Sequence, residues 1–104
     1  VIDVIINNNV LGMVRQWQNL FYDKRFSNTT LDKKTDYELV AKGMGANAFT
    51  AMNKEELEKA MAEAVADRKT PSVINCIIDS DDFVLPMVPA GKSISDPILN
   101  IENK

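Results

Sequence analysis

Hydrophobic and polar positions change period several times along this 104-residue chain. Residues 1–6 (VIDVII) are apolar apart from Asp3. Such a run, without alternation, predicts a parallel strand covered on both faces. Three amides, Asn7-Asn8-Asn9, interrupt it. Over 11–22 the period changes: Met13, Trp17, Leu20 and Phe21 fall at i, i+4, i+7 and i+8, which predicts a helix with one apolar face. Residues 23–34 are polar around Ser27-Asn28-Thr29-Thr30 and read as a loop. Thr35-Asp36-Tyr37-Glu38 has the form of a capping box. The helix it opens carries Leu39, Val40 and Met44, with Gly43 and Gly45 as stop signals.

Residues 46–52 suit a short strand. Asn53, with Glu56 three positions on, is an N-cap signature, and Leu57, Ala60, Met61, Ala64 and Val65 form a helical stripe behind it. That helix is expected to end near Arg68-Lys69, whose charges suit a carboxyl terminus, before Pro71 forbids continuation. The β-branched run at 72–79 predicts a buried strand. Residues 80–104 hold three of the four prolines and read as an extended tail.

The order strand, helix, helix, strand, helix, strand predicts an α/β layer with a parallel sheet over 1–79, followed by the tail at 80–104. Ligands of such sheets sit outside the carboxyl ends of the strands, and Asn7-Asn8-Asn9 lie at such an end. Composition narrows the chemistry. A net charge of −3 and the lack of a basic stripe argue against a nucleic-acid binder. No apolar run is long enough to span a bilayer. There is no histidine, which removes Ser-His-Asp triads and most zinc sites. The single cysteine, Cys76, builds no disulfide framework and fits a reducing setting. The chain opens on Val1 already in a strand-like run, from which we expect a piece of a longer protein.

The asparagines have two readings. Asparagine tolerates left-handed backbone and caps helices, so 7–9 can be a polar turn. It also offers a neutral carbonyl oxygen that suits a hard cation such as Mg²⁺, which keeps substrate phosphates in its shell. The backbone carbonyl of Val10 would add a second oxygen. Met13 and Trp17, one turn apart, are either core or the wall of a pocket beside that strand end.

The stretch NNNVLGMVRQWQNLFYDKRFS at 7–27 resembles the thiamine-diphosphate-binding domain of the biosynthetic acetolactate synthases (the catalytic large subunit). VLPMVPAG at 84–91 resembles the P-M-V-P tail of that family, and DYELVAKGMGANAF at 36–49 matches a segment between them. The resemblance runs to about Leu99. It implies that 1–79 is the carboxyl-terminal portion of a thiamine-diphosphate-binding domain. It also implies Asn8 as a side-chain Mg²⁺ ligand and the Val10 carbonyl as a backbone ligand. Gly12 and Met13 would lie at the cofactor, Met13 and Trp17 would line the substrate pocket, and Pro86-Met87-Val88-Pro89 would help cover the site.

The implied reaction joins pyruvate to pyruvate or 2-ketobutyrate with loss of CO₂, on the route to branched-chain amino acids. The implied cofactors are thiamine diphosphate, Mg²⁺ and FAD. The implied partners are a homodimeric or tetrameric catalytic subunit, a possible regulatory small subunit and small 2-keto acids. The implied location is the cytoplasm, or the plastid in a plant. The family's GDG aspartate, its FAD-binding domain and its activating glutamate are not in this sequence, so no catalytic residue is assigned here. The segment alone is expected to be inactive and to self-associate through bare strand edges. Two other readings stay open: another thiamine-diphosphate-dependent carboligase, and a non-catalytic α/β module for dimerisation or regulation.

Overall fold

The computed structural model describes residues 1–101. The last three residues of the expected tail therefore lie outside the described residues. The described residues form three strands and three helices in the order β1 (Ile2–Asn7), α1 (Gly12–Phe21), α2 (Tyr37–Gly43), β2 (Asn47–Ala51), α3 (Lys54–Ala66) and β3 (Ser72–Ile77). The sheet order is β1-β3-β2, and both pairings are parallel. Ile74 of β3 pairs with Val4 on one side and Phe49 on the other.

Alternate residues of a strand point to opposite faces, and this sorts the helices. Ile74 and Cys76 of β3 and Ala51 of β2 face α3, where Ala60 and Ala64 bury against them. Thr50, one residue away from Ala51, points the other way and donates its hydroxyl to Glu38 of α2. The sheet is therefore layered between α3 and α2. Small alanines at i and i+4 let α3 approach the sheet closely, and Ile74 is fully enclosed.

Several expectations change. β1 is an edge strand and is not covered on both faces: Val4 and Ile6 are exposed. Among the described residues β3 is its one strand neighbour, and α3 packs on β2 and β3. In α2 the buried residue is Ala41, while Leu39, Val40 and Met44 are exposed. Its cap is Asp36 rather than Thr35: the Asp36 Oδ1 accepts from the Leu39 N–H at 2.9 Å. Glu38, the expected return partner of a capping box, is drawn instead to Lys42 and Thr50, and those two bonds hold its carboxyl below the usual carboxylate range.

Asn53 does cap α3, accepting from the Glu56 N–H at 2.9 Å, and Glu56 returns to the Met52 N–H at 2.8 Å. The stripe of α3 is narrower than expected, since Val65 is exposed. The helix ends at Ala66, before the basic pair, because Asp67 turns the chain. Its carboxylate accepts from Asn47 Nδ2 and from the N–H groups of Lys69 and Thr70 at 2.8–3.1 Å, and is held down at about 2.

Beyond β3 the chain has no helix or strand among the described residues. It folds back on itself: Met87 and Ile98 exchange two backbone hydrogen bonds, at 3.0 and 2.7 Å. No helix among the described residues is long and apolar enough to cross a membrane.

Candidate functional site at the carboxyl end of β1

Each of the three asparagines that follow β1 has a different local role. The Asn7 Oδ1 accepts from the Asn9 N–H at 3.0 Å, a short side-chain turn. Asn9 takes the left-handed backbone that asparagine tolerates, with φ of 56°. Asn8 lies between them, and its Oδ1 accepts from the Val10 N–H at 3.3 Å. Its Nδ2 is set against Gly12, where an added Cβ would come within 2.6 Å. Gly12 therefore leaves the space that the Asn8 carboxamide fills. All three amides build the turn, and the Asn8 oxygen is held at the strand end by the Val10 N–H.

The next residues are pinned from outside. Val10 is buried and bridges to Thr30. Leu31 N–H donates to the Asn9 carbonyl at 3.1 Å, and Leu11 N–H to the Thr29 carbonyl at 2.8 Å. Thr29, itself buried, donates its hydroxyl to Gln18 Oε1 at 3.0 Å. The loop at 23–34 thus fixes the start of α1. The first bond of that helix runs from Arg15 N–H to the Leu11 carbonyl at 2.9 Å, so the Val10 carbonyl stands one residue ahead of the helical ladder.

Asn8, Asn9 and Val10 line a cleft of about 370 Å³ with Arg15, Lys34 and Asp79. Two cations and one carboxylate suit an anionic guest that carries a bound cation. The Arg15 guanidinium is shared: its carbon lies 4.0 Å from the Phe26 ring centroid, and its Nε donates to Asp81 at 2.7 Å. Arg15 in turn holds the Asp81 carboxyl below its usual range.

Met13 and Trp17 do not share this cleft. With Val14, Gln18, Tyr22 and Arg25 they line a second, apolar hollow of about 540 Å³ on the outer flank of α1. Trp17 stacks edge-on with Phe21, ring centroids 6.0 Å apart, and Met13, Trp17 and Phe21 are 54%, 43% and 44% exposed. The apolar face of α1 thus points away from the sheet. The residue that α1 does bury is Gln16, at 1% exposure, a residue given no role from the sequence.

The metal-ligand test is one of donor kind and number. Asn8 Oδ1 and the Val10 carbonyl are neutral oxygens, the type a hard cation prefers, and the amide oxygen retains a second lone pair. They fill two of roughly six octahedral positions. Among the described residues no group of three or more His, Cys, Asp or Glu could hold a metal. The residues fit such an ion as one part of its shell.

Residues 1–76 match the family described as thiamine pyrophosphate enzyme, C-terminal TPP binding domain. The chain is similar to the acetolactate synthase large subunit of Corynebacterium glutamicum, 43% identical over 96 residues, covering 88% of this chain and 15% of that protein. It is similar to the mitochondrial acetolactate synthase of Schizosaccharomyces pombe, 38% identical over 97 residues, 93% of this chain and 14% of that protein. Against the acetolactate synthase isozyme 2 large subunit of Escherichia coli it is 36% identical over 93 residues, 89% of this chain and 17% of that protein. The chain therefore spans only about one sixth of the length of these relatives. On this match over most of its length, with the parallel sheet and the amide-bearing strand end, the chain belongs to the C-terminal TPP-binding domain family of the thiamine pyrophosphate enzymes.

Proposed function

We propose that the chain is the carboxyl-terminal part of the thiamine-diphosphate-binding domain of an acetolactate synthase large subunit. The whole enzyme would join pyruvate to pyruvate or 2-ketobutyrate with loss of CO₂. The observation that carries the reading is the Asn8–Val10–Gly12 arrangement at the end of β1. It sets one amide oxygen and one peptide carbonyl where a parallel sheet receives its ligand. Identity of 43% to an acetolactate synthase large subunit supports the choice of reaction.

When bound, thiamine diphosphate supplies the electron sink that carbon–carbon bond cleavage and formation require. The residues of this chain hold and orient. Asn8 and Val10 would give Mg²⁺ two oxygens, and the remaining ones would come from the diphosphate, water and other parts of the whole protein. Arg15 and Lys34 balance the charge of an anionic guest in the cleft. Met13 and Trp17 would present an apolar wall to the short alkyl chain of the second keto acid. FAD and a dimeric or tetrameric assembly belong to the same proposal.

The test is turnover by the full-length protein that contains this segment, supplied with Mg²⁺, thiamine diphosphate and FAD. Pyruvate alone should give 2-acetolactate, and added 2-ketobutyrate should give 2-aceto-2-hydroxybutyrate. Release of acetaldehyde without carboligation, or no consumption of pyruvate, would contradict the assignment.

A further inference from the structure

Helix α1 carries the proposed pocket wall, yet among the described residues it makes no extensive packing with the sheet, α2 or α3. Apolar burial against the core therefore does not set its position. Polar ties do, and the most enclosed of them is Gln16. Its Nε2 donates to the Val84 carbonyl at 3.0 Å, and its Oε1 accepts from the Val84 N–H at 2.9 Å. A single carboxamide thus pairs with both backbone groups of one residue, as a neighbouring strand would. Nε2 also lies 3.3 Å from Met87 Sδ. Next to it, Arg15 reaches Asp81 at 2.7 Å, with the arginine side chain mostly shielded.

We infer that Gln16 is a positioning residue: it fastens α1 to the 84–87 segment and so sets where Met13 and Trp17 stand. The geometry favours this over generic packing in two ways. The bonds go to backbone atoms, so they hold whatever side chain stands at 84. They also reach across 68 residues of sequence, which makes them a tie between separate parts of the chain. Gln16 touches neither Asn8 nor Val10 through any of these bonds, so its effect on the metal end should be small.

The inference rests on the function proposed above for the pocket wall, and its test has one arm that does not. In the full-length protein, Gln16→Ala removes all three contacts, whereas Gln16→Glu keeps the acceptor and loses both donors. Hydrogen exchange of α1 and of residues 84–87 should speed up in both variants, since the second carboxylate oxygen of Gln16→Glu would face the Val84 carbonyl. The KM for 2-keto acids should rise about tenfold in Gln16→Ala, as expected for a misplaced wall. Dissociation of thiamine diphosphate in the presence of Mg²⁺ should stay within about twofold of the parent.

Unchanged exchange and unchanged KM would overturn the inference. So would a loss of cofactor affinity that accounts for the whole loss of activity. If Gln16→Ala fails to fold, Gln16→Met, which keeps the side-chain volume and loses the bonds to Val84, carries the same test. If the parent forms no acetolactate, the functional reading fails, and the exchange measurement still decides whether Gln16 fastens the helix.

Discussion

Helices α1 and α3 both advertise an apolar stripe in the sequence, and the fold uses the two stripes in opposite ways. The stripe of α3 closes on the sheet: Ala60 and Ala64 are 4% and 2% exposed against Ile74, Cys76 and Ala51. The stripe of α1 faces outward, and its burial is left to Gln16, Arg15 and a few backbone bonds. Periodicity reports that a helix has an apolar face. It does not report whether that face meets the core of the same domain. Side-chain size separates the two cases. Alanines at i and i+4 permit close approach to a sheet, whereas Met13, Trp17 and Phe21 demand a deep hollow that the three-stranded sheet does not offer.

The contrast can be broken most forcefully by truncation in the core. Ile74→Ala removes a side chain with no exposed surface and should destabilise by about 2–5 kcal/mol in a denaturant melt. Trp17→Ala, although it deletes a larger group, should cost clearly less, because Trp17 is 43% exposed. An equal or greater loss for Trp17 would mean that the outer face of α1 is covered.

A second substitution sharpens the difference between stability and function. The Cβ of Gly12→Ala would meet the far end of the Asn8 side chain, which can swing aside. Stability should therefore change by no more than about 1 kcal/mol. Displacing the Asn8 oxygen should nevertheless weaken Mg²⁺-dependent cofactor binding by the full-length protein by about tenfold or more. Unaltered binding would show that Asn8 is not held in a ligating position.

The smallest expected effect lies at the end of α3. Asp67 is held at about 2, below its ordinary 3.8, by bonds from Asn47, Lys69 and Thr70. A lowered folded-state value means that the ionised form favours folding. Its contribution is present above pH 3.8 and fades as the pH falls from there towards 2. Asp67→Asn should lower stability slightly at neutral pH and flatten this part of the acid limb, so that the melts of variant and parent converge as the pH nears 2. An acid limb identical to that of the parent would refute the assignment.

Much of this was legible in the sequence. The element order, the parallel sheet and the Asn53 cap followed from β-branched runs, helical spacing and a side-chain oxygen placed ahead of a helix. The end of α3 was misread because basic residues near a terminus are a weak electrostatic preference, whereas Asp67 offers three hydrogen bonds. The exposure of Val4, Ile6 and Leu39 was not legible, since an apolar residue looks the same whether a neighbour covers it or not. Asn7, Asn8 and Asn9 stood out by their place at a strand end, and the family resemblance singled out Asn8 among them. Gln16 did not stand out, because its partner Val84 lies 68 residues away and no local pattern links them.

The central claim is that the end of β1 holds part of a metal–diphosphate site. Mg²⁺-dependent binding of thiamine diphosphate to the full-length protein, compared between the parent and Asn8→Ala, tests it most directly. The account predicts a loss of affinity of roughly 10–100-fold. Equal affinity in the two proteins, with Mg²⁺ still required, would contradict it.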